Sequence, residues 1–420
     1  MKITVFAAGS RGDVQPCVAL SRALRAAGYA VRLAAPAGFS DFIEQHGVPH
    51  VPLRGDVQAI MAGDTGRRFV GAGSTNLLVS IRAMRAMLGP VVGQMTDDAF
   101  EACRAADALI CQAVLAGFGQ AIAAAQRLPL INLEPTPVLP TRAFPAAGWP
   151  IQSHLGGLHN RLSGVAMLNV IWQWYSPFVQ DFRRRLGLPA YSAARFVRDL
   201  ASTPLLGAYS PHVIPPPADW PGGAHVTGYF FLDAPGAWQP PPALQAFLEA
   251  GEPPVYVGFG SMTGREPERM AALVLEALAL SGQRGVLVTG WGGLRAGTVP
   301  ASVFVLEAAP HAWLFPRMAA VVHHGGAGTT AEGLRAGVPS VIVPFIVDQP
   351  FWGARVRALG VGPKPIPMKT LTAARLATAI QRAVSDPAMR ARAGALGQVV
   401  GAEDGLGCAV EQIRQQLGPP

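Results

Sequence analysis

Apolar positions along this chain come in short strand-length runs separated by helical stretches, with glycines at the joints. Residues 2–7 form a β-branched apolar run the length of one strand. Residues 14–27 then place Val18, Leu20 and Leu24 at helical spacing and stop at Gly28, a residue suited to the turn that ends a helix. Residues 30–34 read as a second strand, 39–45 as a short helix stopped by Gly47, and 50–52 as the start of a third strand. This βαβαβ order implies a parallel sheet with right-handed crossovers. The rhythm restarts in the second half. There, residues 255–259, 286–289, 303–306, 319–322 and 340–343 read as strands. Residues 267–280 and 329–336 read as helices, the latter closed by Gly337. Between the halves, Pro215 to Pro217, Pro221, Pro235 and Pro240 to Pro242 favour an extended connector. The pattern therefore predicts two Rossmann-like, doubly wound α/β domains: residues 1–215 and 251–400, joined by a linker at 216–250. A helix within 401–420 carries Val410, Ile413 and Leu417 at helical spacing and needs a surface to cover. Ligands of open parallel sheets bind at the carboxyl edges of the strands, so two such domains facing one another predict a central cleft and a nucleotide-type ligand.

Composition narrows this picture. The chain has 420 residues, half of them apolar and 14% charged, enough to bury two cores. Cys17, Cys103, Cys111 and Cys408 lie in no C-x-x-C spacing, so neither a disulfide framework nor a zinc site is expected, and a reducing cytoplasm fits. The apolar N-terminus runs at once into a glycine loop and a helix, which reads as a first strand and not a targeting segment. No apolar stretch approaches the ~18 residues needed to span a membrane. The net charge of +8 is spread over both halves. Its densest run, Arg183-Arg184-Arg185, reads as a solvated helix face. No interleaving of aromatic and basic residues points to nucleic acid.

The strongest local signal is His323-His324-Gly325-Gly326-Ala327-Gly328-Thr329-Thr330, between a predicted strand and a predicted helix. Gly325, Gly326 and Gly328 let backbone approach a ligand, and the helix N-terminus favours an anion. His324 can donate a ring N–H to a phosphate oxygen or carry charge as a leaving nucleotide departs. The alternative is a tight turn with a threonine cap. The chain has no G-x-x-x-x-G-K-[ST], and no G-x-G-x-x-G follows its first strand. One βα unit later, Asp348-Gln349 offers a carboxylate and an amide suited to adjacent sugar hydroxyls; the alternative is an Asp helix cap.

The segments Ala309-Pro310-His311-Ala312-Trp313-Leu314-Phe315-Pro316, His323 to Thr330 and Pro344 to Gly353 resemble the donor region of sterol 3β-glucosyltransferases and bacterial natural-product glycosyltransferases of the GT-B fold. Val255 to Met262 resembles that family's first C-terminal strand and loop, and Gly9-Ser10-Arg11-Gly12-Asp13-Val14-Gln15-Pro16 its N-terminal loop. The resemblance covers both halves in order and is weak over residues 55–235. It implies that His324, Gly326, Gly328 and Thr329 hold the diphosphate and that Asp348 and Gln349 hold the sugar, glucose above others. It places Ser261, and the loop residues Ser10, Arg11 and Gly12, near the donor. Many relatives stack the base on a tryptophan where this chain has Ala308-Ala309 ahead of Pro310-His311. Base recognition, with uracil expected, then falls to backbone near Ala309, to His311, or to another ring such as Trp291. Relatives also return their last helix to the N-terminal domain.

Asp13 closes the first βα loop in this reading and is the candidate general base, at the step where the family places one. The alternative is a helix cap or a partner for Arg11. No Asp-x-Asp occurs, since Asp97-Asp98 is adjacent, so no metal and no resident cofactor is expected beyond a UDP-sugar co-substrate. Direct displacement would invert the anomeric carbon. The aromatic stretch 167–188, with Trp172, Trp174 and Phe178, reads either as a core helix or, with residues 77–87, as the wall of an apolar acceptor pocket. The second reading implies a sterol, polyketide, flavonoid or lipid alcohol as acceptor, and a weak peripheral membrane contact helped by the arginine run. A UDP-sugar epimerase would want more carboxylates around the donor. A non-catalytic sugar-nucleotide-binding helper would lack Asp13 or the His324 loop.

Overall fold

The computed structural model describes residues 1–55, 77–233, 238–260, 267–289 and 299–420. The chain divides into two compact units, one ending at Leu232 and resuming over Asp404–Pro420, the other holding Asp233–Glu403.

The first unit is built on seven parallel strands: β1 (Lys2–Phe6), β2 (Ala30–Pro36), β3 (His50–Leu53), β4 (Ala108–Gln112), β5 (Leu130–Glu134), β6 (Leu205–Gly207) and β7 (Ala224–Val226). Their order is β3-β2-β1-β4-β5-β6-β7. The central strands are apolar on both faces because helices cover both; β4 is buried along its whole length. The buried Thr4 hydroxyl on β1 is satisfied by the Ala102 carbonyl, 3.1 Å away. The second unit has five parallel strands: β8 (Val255–Gly258), β9 (Gly285–Val288), β10 (Val303–Leu306), β11 (Ala320–His323) and β12 (Ser340–Ile342), in the order β10-β9-β8-β11-β12. The order reverses between β1 and β4 in one sheet and between β8 and β11 in the other. Those reversals open a crevice at the carboxyl edge of each sheet.

The proline-rich stretch is a connector only in its middle, where the described residues 227–233 and 238–241 form no helix or strand and the unit boundary falls. Its first part supplies β7, which pairs with β6 and belongs to the first unit. Pro242 opens the helix Pro242–Glu249 of the second unit, where its fixed φ suits the first helical position and its missing N–H costs nothing. Two helices also start earlier than periodicity suggested. The first runs Arg11–Ala26, which puts Asp13 in its first turn, and another runs Ala327–Arg335. His323 is the last residue of β11, not a loop residue.

The last helix, Gly405–Leu417, lies on the first unit. Ala409 and Ile413 are fully buried in the core that holds Val14, Leu20 and Leu24, and Val410 and Leu417 pack at its edge. The Tyr29 hydroxyl donates to the Gly418 carbonyl at 2.8 Å. Ile413→Ala should therefore destabilise the first unit by about 2–5 kcal/mol. Chemical denaturation, with hydrogen exchange followed in the helix Arg11–Ala26, checks this; a cost below about 1 kcal/mol would show that the helix does not hold that core.

Candidate active site

In the first unit, β1 leads into Ala8-Gly9-Ser10 and the helix Arg11–Ala26. Asp13 Oδ2 accepts from the Ser10 N–H (2.7 Å) and the Ser10 hydroxyl (2.8 Å). This is the carboxylate half of a capping box. Gly9 has φ +126°, and a Cβ there would run into Asp13 Oδ2, so the loop closes on the carboxylate only with glycine. Oδ1 makes no hydrogen bond among the described residues. Burial raises the Asp13 pKa above the ordinary carboxylate value, against the two Ser10 hydrogen bonds that lower it. The carboxylate is thus both the helix cap that one sequence alternative named and a group with one oxygen held and one uncommitted.

Gln112, buried at the end of β4, locks this loop. Its Oε1 accepts from Ala8 N–H (2.7 Å) and its amide donates to the Asp13 carbonyl (2.9 Å). Glu134, which the sequence reading missed, ends the next strand, is nine-tenths buried, and accepts from Val114 N–H at 3.2 Å. Burial, with the charges of Asp13 and Glu134 adding, pushes the Tyr175 phenol up to about 12. Reading off the last residues of β4, at the reversal, and of its neighbour β5 would have found Gln112 and Glu134. Ser10 is committed to Asp13. Arg11 donates to Gln15 Oε1 (3.1 Å) and stacks over Phe42 (4.7 Å). The structure thus gives Ser10 and Arg11 partners in their own unit, while Gly12 stays exposed.

The aromatic stretch falls in the helix Gly157–Arg185. Trp172 is core: it stacks on Phe196 (5.3 Å) and meets Tyr191 edge-on (5.7 Å) because it faces the helix Ala193–Ser202. Trp174 and Phe178 are half-buried, Phe178 against Gly89. The arginine run is a solvated face only in part, since Arg184 and Arg185 are exposed and Arg183 is not. Arg183 is buried over Tyr191 (4.6 Å), and Arg185 pairs with Asp97 (2.6 Å). Asp98 binds Arg54 at 2.7 Å, so the adjacent acids are structural.

In the second unit, β11 ends at the loop His324-Gly325-Gly326. The first helical bond is Thr330 N–H to the Gly326 carbonyl (2.9 Å), so the N–H groups of Ala327, Gly328 and Thr329 lack carbonyls within the helix. Gly328 is exposed, with open space over its Cα. These donors and the positive helix end suit an anion. The His324 ring lies over this loop: a Cβ on Gly326 would stand 2.5 Å from its Nε2, and one on Gly260 3.6 Å from its Cε1. Burial lowers its pKa to about 4, so near neutrality the ring is an uncharged donor, and its buried Nδ1 has no partner among the described residues. His323 has a different task. Its Nδ1 accepts from Gly325 N–H (3.1 Å), which holds the loop's bend at φ +90°.

Beside this loop, Gly325 abuts the Gln349 carbonyl, which a Cβ would approach to 3.2 Å. Asp348 stands at the cap position of the helix Gln349–Ala358 but does not cap it; its Oδ2 accepts from Trp352 Nε1 at 2.9 Å. Gln349 Oε1 accepts from Phe345 and Ile346 N–H (2.8 and 3.2 Å), and its NH₂ makes no hydrogen bond among the described residues. Val347, at φ +58°, is left-handed, a strained state for a β-branched residue. His311 stacks on Phe315 (4.3 Å) and meets the Tyr256 hydroxyl at 3.4 Å, next to the half-buried Ala309. Ser261 and Trp291 lie outside the described residues. Among the described residues no cluster of three metal-binding side chains occurs.

Comparison with known proteins identifies the family and the fold. The Glycosyltransferase family 28 N-terminal domain matches residues 3–145, and the C-terminal domain of erythromycin biosynthesis protein CIII-like proteins matches residues 291–404. A sterol 3-beta-glucosyltransferase of Arabidopsis thaliana is 36% identical over 430 residues, covering 100% of this chain and 68% of the relative. The O-mycaminosyltylonolide 6-deoxyallosyltransferase of Streptomyces fradiae is 37% identical over 412 residues, covering 97% of this chain and 95% of the relative. Fungal sterol 3-beta-glucosyltransferases are longer; this chain spans 30% of that of Aspergillus fumigatus. Among solved structures, the glycotransferase of kitacinnamycin shares the fold at a TM-score of 0.74 with 22% identity, covering 99% of each chain. SsfS6 of Streptomyces sp. SF2575, solved with thymidine diphosphate, shares it at 0.65 with 21% identity, covering 99% of each chain.

Val347→Gly should raise the stability of the second unit by about 0.5–1 kcal/mol, the relief of left-handed strain less the entropy that glycine adds to the unfolded chain. Equilibrium unfolding of both proteins measures this. A loss of stability would mean that the valine side chain holds the loop.

Proposed function

This chain belongs to the glycosyltransferases that include sterol 3-beta-glucosyltransferases and macrolide glycosyltransferases, and we propose that it transfers a hexose, with inversion, from a UDP-sugar to a hydroxyl of an apolar acceptor. The observation that carries the mechanism is the Asp13 carboxylate, with Oδ2 held twice by Ser10 and a pKa raised by burial. Oδ1 takes the acceptor proton. The acceptor oxygen bonds to the anomeric carbon as the bond from that carbon to the diphosphate breaks. The N–H groups of Ala327, Gly328 and Thr329 and the His324 ring meet the charge that appears on the leaving diphosphate. Asp348 and the NH₂ of Gln349 hold sugar hydroxyls, and the backbone near Ala309 with His311 faces the base. Relatives named for a sterol and a macrolide support a polycyclic or macrocyclic acceptor; Tyr175, Trp174 and Phe178 are the aromatic residues nearest to that role. The relatives are transferases, which disfavours an epimerase or a non-catalytic helper. A cytoplasmic setting is consistent with the buried free thiols of Cys17, Cys103 and Cys111.

Asp13→Asn should lower turnover by ~10²–10⁴ while UDP binding, read by calorimetry, stays within about twofold. The acid limb of kcat/KM belongs to the free base. The base works only when deprotonated, and its pKa is raised, so activity should fall at a pH above the ~3.9 of an ordinary aspartate. Wild-type turnover in the variant would remove Asp13 from this role. Activity should also survive EDTA, because the helix end and His324 already face the diphosphate; activity lost to EDTA and restored by Mg²⁺ would show a metal step.

A further inference from the structure

Half of the strongly exposed large apolar side chains among the described residues lie between Ile151 and Val165. Leu158, Leu162 and Val165 fall at i, i+4 and i+7 on one face of the helix Gly157–Arg185, with exposures of 69, 58 and 36%. Leu155 (58%) and Ile151 (48%) continue the stripe in the segment ahead of it. The inward face of the same turns is polar and small. Asn160 donates to the Arg142 carbonyl (2.9 Å), and Ser163 Oγ accepts from Ala146 N–H (2.9 Å) and donates to the Asn160 carbonyl (2.6 Å). A Cβ on Gly164 would stand 2.7 Å from Pro140 Cα. The helix is therefore inside out over its first turns: hydrogen-bonding groups face the protein and leucines face water. Scattered surface leucines need no account, but a contiguous stripe does.

The charge around the stripe says what covers it. Between Glu134 and Asp181 the chain carries no acidic residue, while Arg142, Arg161, His154 and His159 do lie there. Arg142 and Arg161 are exposed. Asp219, which reaches this side, is taken by the Thr141 hydroxyl (2.6 Å) and Arg142 N–H (2.8 Å). Leucines rimmed by arginine fit the boundary between headgroups and acyl chains of an anionic bilayer. The Arg183–Arg185 run does not serve here, since Arg183 is buried and Arg184 and Arg185 are ion-paired with Asp181 and Asp97.

We propose that the stripe from Ile151 to Val165 is a membrane-contact surface, with Leu155, Leu158 and Leu162 inserting and Arg142 and Arg161 at the phosphate level. Its use, drawing an apolar acceptor from the bilayer, rests on the acceptor reading above; the contact itself does not. The test is flotation with vesicles of phosphatidylcholine alone and with roughly one third phosphatidylglycerol, comparing wild type, L155Q/L158Q/L162Q and R161Q. The triple variant should lose about tenfold or more of vesicle partitioning on both compositions. R161Q should lose about fivefold on anionic vesicles only. Thermal midpoints and UDP binding should not change. Equal flotation of wild type and triple variant, or none by either, overturns the proposal. So does a wild-type dimer in light scattering that the triple variant abolishes while vesicles bind neither, because a second copy then covers the stripe. Vesicle binding by a wild type that glycosylates no apolar alcohol would leave the surface standing and overturn the acceptor reading.

Discussion

All the chemistry assigned to this chain depends on strand pairing. In a parallel sheet every strand delivers its following loop to the same edge, and where the strand order reverses, two neighbouring loops diverge and leave a crevice. β1 and β4 flank that reversal in the first unit, and Asp13 and Gln112 come from the ends of these strands. β8 and β11 flank it in the second, and Gly260 and His324 come from theirs. Hydrogen bonds between backbones far apart in sequence thus decide which side chains meet; the side chains then tune one another. Gln112 reaches back to Ala8 and Asp13, and His323 fixes the bend through which His324 is presented.

The second sheet and the first three strands of the first were legible because buried parallel strands are short apolar runs set between helices that end at glycine; β4 to β7 were not read from the pattern. The glycine loop after β11 was legible because Gly325 and Gly326 have no alternative: larger residues would collide with Ile342 and His324. What escaped was set by contacts distant in sequence. Trp172 looks the same in a pocket wall as in a core, and only the helix Ala193–Ser202 makes it core. Arg183 reads as solvated until Tyr191 folds under it. Glu134 carries no local motif; its place at the edge comes from β5 lying beside β4. The prolines misled for the opposite reason, since a proline that disrupts a helix interior is favoured at its first position.

Local conformation in the second unit works against stability where the proposed ligand contacts are. Val347 sits in a left-handed state, His324 Nδ1 and His323 Nε2 are buried without partners among the described residues, and three helix N–H groups lack carbonyls within the helix. Each is a deficit in the free protein, of the kind that a bound anion or sugar can fill. The Asp13 loop is the reverse case: its polar atoms are tied to one another, and what is held back is a single carboxylate oxygen. The deficits and the closed network suit the two tasks, since a leaving group must be captured and released whereas a base must stay aimed.

The return of Gly405–Leu417 to the first unit makes the second unit an insertion in chain terms, since Asp233–Glu403 lies between two segments of one core. During synthesis the ribosome releases the whole of β1 to β7 while the surface formed by Val14, Leu20 and Leu24 still waits for Ala409 and Ile413. The first unit can be completed only after the second has been made, so the second has the whole interval to fold by itself. The same connectivity makes Asp233–Glu403 an exchangeable cassette. A second unit taken from a relative can be spliced in at Leu232 and Asp404 without cutting the segments that build the first.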